Sequence, residues 1–121
     1  MGYILVYWNE HEVGDLHYHI ESDLGQKKVF TRFKDNLPRL LPGGFSIVNY
    51  GGKEDDIGIL DEGKKQHMHI YYIQRRFPHN LHITFLQEGF RDVFMKMLRK
   101  LFPKAKISLR YLKNDEYTVE Y

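Results

Sequence analysis

The stretch Gln66-His67-Met68-His69-Ile70-Tyr71-Tyr72-Ile73-Gln74 alternates polar and apolar side chains. In extended chain the repeat is two residues, so His67, His69 and Tyr71 are expected on one face and Met68, Ile70 and Tyr72 on the other. Downstream the period changes. From Glu88 to Phe102 the apolar residues Phe90, Val93, Phe94, Met97, Leu98 and Leu101 recur at helical spacing, which predicts an amphipathic helix with Lys96, Arg99 and Lys100 on its outer side and Pro103 as its stop. The two periods together predict an α+β chain, a largely antiparallel sheet with one main amphipathic helix packed across it and a second, short helix.

Working outward, residues 3–9 are β-branched and aromatic, Val13-Gly14-Asp15 reads as a turn, and Leu16 to Ser22 alternates again, so a hairpin is expected to open the chain. A third strand is predicted at Lys28 to Phe33. The short helix or turn is placed at Lys34 to Leu41, because Pro38 lies inside that segment and Pro42-Gly43-Gly44 closes it. Further strands are expected at Phe45 to Tyr50, Ile57 to Leu60, Leu81 to Leu86, Ile107 to Leu112 and Tyr117 to Tyr121, with turns at Gly51-Gly52 and Phe77-Pro78-His79-Asn80.

The chain has 121 residues, an allotment for one domain, 1–121. With 42% hydrophobic and 15% aromatic residues it can bury a core, which argues against wholesale disorder. It has no cysteine, so a disulfide framework and a thiol nucleophile are excluded and any metal must be held by His, Asp or Glu. No apolar run approaches the length of a membrane span, and Glu10, His11, Glu12 and Asp15 stand where a signal peptide needs apolar residues. A cytoplasmic protein without a membrane partner is expected, in the host-cell interior if the chain is viral. The net charge of +2 says little, but its distribution says more. Basic residues gather between Arg91 and Lys113, while Glu54 to Glu62 is acidic.

The candidates for chemistry are two His-x-His pairs, His17-Tyr18-His19 and His67-Met68-His69. Alternate strand positions lie roughly 6 to 7 Å apart on one face, within reach of a shared ion. Asp61 or Glu62, shortly before the second pair, is placed to add a carboxylate ligand. The ordinary alternative is a pair of strand histidines that face solvent or bond locally. His82-Ile83-Thr84 resembles half of the signature of two-histidine phosphoesterases, without a second copy, and Asp56 with Glu62-Gly63-Lys64 echoes a metal nuclease. Lys96, Arg99, Lys100, Lys104, Lys106 and Arg110 offer a basic track for a phosphate backbone, and Arg75 and Arg76 end the histidine strand. The helix lysines equally suit a solvated face.

Val29-Phe30-Thr31-Arg32-Phe33, Phe45-Ser46-Ile47-Val48-Asn49-Tyr50, Asp61-Glu62-Gly63, His67-Met68-His69-Ile70 and Leu101-Phe102-Pro103-Lys104-Ala105 follow one another in an order that resembles the HUH endonucleases. The likeness is to the replication-initiator (Rep) domains of small circular single-stranded DNA viruses and rolling-circle plasmids. It spans roughly residues 28 to 121, leaving the N-terminal hairpin of residues 1–27 outside. The resemblance implies a fold related to the ferredoxin and RRM folds. It also implies a divalent metal, Mn or Mg, held by His67, His69 and Asp61 or Glu62, and a tyrosine that nicks single-stranded DNA through a covalent phosphotyrosine during replication initiation. The family's Tyr-x-x-Lys would begin at Tyr121, so Tyr121 is the expected nucleophile of an endonuclease domain cut short there, with Tyr117 or Tyr111 as alternatives. Single-stranded DNA is the expected partner, with a homo-oligomer left open. The competing reading is a non-catalytic nucleic-acid- or protein-binding module with structural histidines, and a third is a metal-binding protein using His17 and His19.

Overall fold

A computed structural model describes residues 2–9, 17–50, 55–72, 81–87 and 89–112, the side chains of Asn9, His17, Tyr111 and Leu112 excepted. The elements run β1 (Tyr3–Asn9), β2 (His17–Ser22), α1 (Gln26–Leu40), β3 (Phe45–Asn49), β4 (Asp56–Asp61), β5 (Gln66–Tyr72), β6 (Leu81–Phe85), α2 (Phe90–Leu101) and β7 (Lys106–Leu112). The seven strands form one sheet in the order β3-β4-β5-β6-β2-β1-β7. Every pairing is antiparallel except β1 with β7. The class is the expected α+β. The opening hairpin lies inside the sheet, because β2 pairs with β6 and β1 with β7.

The segment expected as a third strand is helical. Val29, Phe30, Phe33 and Leu37 are all buried, at spacings of one, four and eight residues, while Lys27, Lys28, Arg32, Asp35 and Arg39 are exposed. Val29, Phe30 and Phe33 in so short a segment fit either period, and the contact of Phe33 with Phe94 of α2, ring centres 5.3 Å apart, selects the helical one. Pro38 does not end α1 but sits in its last turns, where it removes only one backbone bond, and the helix stops at Leu40. The helix expected to be short therefore has 15 residues, three more than α2. Gly25, at φ 93°, lets the chain turn from β2 into α1 through a conformation that a side chain would strain.

Both helices cover one face of the sheet. Their buried residues join Ile4, Val6, Tyr18, Ile20, Ile57, Ile59, Met68, Ile70, Ile83 and Phe85 in one core, and Arg91 of α2 donates to the Tyr18 hydroxyl at 2.8 Å. The alternate strand residues form the other face, where Leu5 and Tyr7 make a separate small cluster. The turns proposed at Val13-Gly14-Asp15, Gly51-Gly52 and Phe77-Pro78-His79-Asn80, and the last strand at Tyr117 to Tyr121, lie outside the described residues.

Candidate functional site

The strand pair β4–β5 carries the irregularity that decides the site. Ile59 pairs with Met68 but Leu60 pairs with Gln66, so His67 is an extra residue in β5. Such a bulge breaks the two-residue alternation and re-aims the side chain at the break. His67 accordingly packs with the helix-covered side: its ring lies 5.0 Å from that of Phe45 and 5.7 Å from that of Phe90 in α2. Its Nε2 sits 2.9 Å from Asp61 Oδ2. That hydrogen bond first, then the backbone N–H groups of Lys65 and Gly63, hold the Asp61 carboxyl below its ordinary value of 3.8 against a smaller opposing effect of burial.

His69 has different neighbours. Its Nε2 contacts the Asp56 carboxylate, and its ring lies 5.0 Å from those of Tyr50 and Tyr71. Burial, and then the charge of Asp56, push the Tyr50 phenol above its ordinary 10.0, and its hydroxyl accepts from the Gln66 amide. Gly58, opposite His69 in the register, leaves room for that ring, since a β-carbon there would meet the Tyr50 ring atoms. The expected sharing of one ion by His67 and His69 is thus not what the structure brings together. Each imidazole holds its own carboxylate, and Glu62 is exposed with neither. Among the described residues no three His, Cys, Asp or Glu side chains converge as metal ligands.

What converges instead lies on the helix-free face. Across the strands one row reads Gly58, His69, Thr84 and, by backbone register, His17. The next reads Asp56, Tyr71, His82, His19, Tyr7 and Arg110. In that second row Tyr71 stacks on His82 at 5.0 Å with ring planes 9° apart, His82 meets His19 at 4.7 Å, and His19 stacks on Tyr7 at 5.4 Å. His19 and His82 are more than nine-tenths buried, whereas His69, Tyr71 and Thr84 are partly exposed. His82 and Thr84 belong to this site although the sequence favoured the pair at His67. The visible signal was their spacing of two on a strand, and what was hidden was the pairing of β2 with β6, whose residues are more than sixty positions apart.

The remaining candidates separate. Lys106 and Arg110, both exposed, register with Tyr3 and Tyr7, and with Tyr3, Leu5, Glu21 and Ser108 they line a groove of ≈ 530 Å³. Lys96, Arg99 and Lys100 are exposed on α2, in the layer on the opposite side of the sheet, and Lys104 follows that helix. The basic track of the sequence is therefore two groups. Tyr111 registers against Trp8 in the alternate set of positions from Arg110. Tyr117, Tyr121, Arg75 and Arg76 lie outside the described residues. No helix among the described residues is long and apolar enough to cross a membrane. Comparison with protein-family models, curated proteins and solved structures found no match for this chain.

Proposed function

We propose that the protein cleaves single-stranded DNA by transferring the strand to a tyrosine, and that the tyrosine is Tyr71. The observation that carries this reading is the position of Tyr71 between two imidazoles, with its neighbour His69 held by the Asp56 carboxylate. A phenol titrates near 10 and needs a base to become a nucleophile at neutral pH. Neutral imidazole is that base, and a carboxylate on one ring nitrogen fixes the tautomer that leaves the other free to accept a proton. In the proposed step the Tyr71 oxygen bonds to phosphorus, its proton passes to His69, and the bond from phosphorus to the 3′ oxygen breaks. A proton from water reaches that oxygen, leaving a 3′-hydroxyl end and a 5′-phosphotyrosine. Tyr50 is the poorer nucleophile, because its phenol is pushed towards the neutral form. Lys106 and Arg110 supply cationic contacts for the phosphate backbone on the same face.

The test is incubation with labelled single-stranded DNA, with and without Mn²⁺, followed by denaturing electrophoresis. A protein–DNA adduct is expected that disappears in Tyr71→Phe and falls by about 10²-fold or more in His69→Ala, as loss of a general base does. An adduct that survives Tyr71→Phe but not Tyr121→Phe or Tyr117→Phe, and that needs Mn²⁺ and His67, would return the nucleophile and the metal to the places the resemblance implies. The burial of His19 and His82 favours a second reading, a non-catalytic binding module with structural histidines. That reading expects the same DNA to bind with no adduct from any variant.

A further inference from the structure

On the opposite side of the sheet, where α1 begins and α2 ends, lies a cavity of ≈ 250 Å³. Its walls are apolar, built from Leu24, Leu101, Phe102 and Pro103, and its cationic groups are Lys28, Arg32 and Lys104. No carboxylate is among the described residues that line it, although Lys28 and Arg32 also border a second hollow that Asp35 lines. Arg32 is held in place, its guanidinium carbon 5.4 Å from the centre of the Phe102 ring. The contrast with the neighbouring lysine is informative. Lys27 pairs with Asp55 at 3.4 Å, whereas Lys28, Arg32 and Lys104 have no carboxylate partner among the described residues. Three cations gathered around one apolar hollow repel one another, and an anion seated among them removes that cost.

The shape narrows the anion. Pockets for small organic ligands span about 300 to 1,000 Å³, so this one takes a compact body and not a long acyl chain. A phosphomonoester carries a charge of about −1.5 to −2 at neutral pH and several acceptor oxygens, which suits a guanidinium flanked by two ammonium groups. The aromatic and apolar wall suits a flat ring beside it. We propose that this cavity binds a nucleoside monophosphate, either free or as the 5′-phosphorylated end of a strand, with the phosphate on Lys28, Arg32 and Lys104 and the base against Leu24, Phe102 and Pro103. This site is independent of the DNA-cleaving reading, since it shares no residue with the helix-free face.

Titration calorimetry of the full chain at low salt tests it, using AMP, UMP, inorganic phosphate and oligonucleotides with a 5′-phosphate or a 5′-hydroxyl. One saturable site for a mononucleotide is expected, weakened at least tenfold in Arg32→Gln and in Lys104→Gln and unchanged in Tyr71→Phe. Tighter binding of the 5′-phosphorylated oligonucleotide than of the 5′-hydroxyl form assigns the site to strand ends. Equal binding of the two assigns it to free nucleotide. Both substituted residues are exposed, and thermal melting of the variants separates lost binding from lost folding. The proposal is overturned if no mononucleotide gives saturable heat, if both variants bind as the parent does, or if inorganic phosphate binds as tightly as AMP.

Discussion

Asp61 accepts from His67 and from the backbone of Gly63 and Lys65, and all three bonds favour the ionised carboxyl. A carboxylate whose folded pKa lies below its ordinary value adds stability above that ordinary value and loses it as the pH falls through the folded one. The ordinary value is 3.8, so the window opens just below pH 4. The urea midpoint of the parent chain is therefore expected to fall more steeply on acidification below about pH 4 than that of Asp61→Asn, which has no carboxyl to protonate. Parallel curves for the two proteins would show that the bonds to Asp61 do not favour its charge. The pairing has a consequence for chemistry as well. A residue engaged by Phe45, Phe90 and Asp61 is tied to the packing of α2, so His67 is placed to hold the bulge, whereas the proposed base is His69.

At the scale of elements, the two helices depend on each other through aromatic contacts. Phe94 is fully buried and meets Phe33 of α1 and Phe85 of β6, with ring centres 5.3 and 5.6 Å apart. Removing that ring leaves a cavity shared by both helices and the sheet. Phe94→Ala is expected to cost about 3 to 5 kcal/mol in chemical denaturation, and a loss under 1 kcal/mol would mean that the helical layer is not anchored there. The segment 28–33 shows why such contacts matter. Residues 29–33 suit a strand as well as a helix by local pattern, and the helical form places Val29, Phe30, Phe33 and Leu37 together against α2 and the sheet. Phe30 and Thr31, expected on a strand, consequently lie on α1.

The whole molecule is two-sided, with the helices and the cavity of ≈ 250 Å³ on one side and the histidine rows on the other. The cations divide the same way, and a salt titration can count those that contact the proposed DNA strand. For single strands the logarithm of affinity falls with the logarithm of salt by about 0.7 per neutralised phosphate. Lys106→Gln with Arg110→Gln is expected to reduce the slope by about 1.4, whereas Lys96→Gln with Lys100→Gln leaves it unchanged. The reverse result would move the DNA to the α2 side.

Much of this architecture was legible in the order of the residues. The alternation of residues 3–9 and of Gln66 to Tyr72, and the helical spacing of Phe90 to Leu101, reflect which side of each element meets water, and that is a local property. The α+β class, the opening hairpin and the presence of histidines at strand spacing follow from it. Which histidines meet is not local. One extra residue in β5 turns His67 away from His69, and the pairing of β2 with β6 sets His19 against His82 across a long span of chain. Side-chain alternation is set within a strand, but register is set by the partner strand, so only the folded sheet decides which imidazoles, carboxylates and phenols share a face.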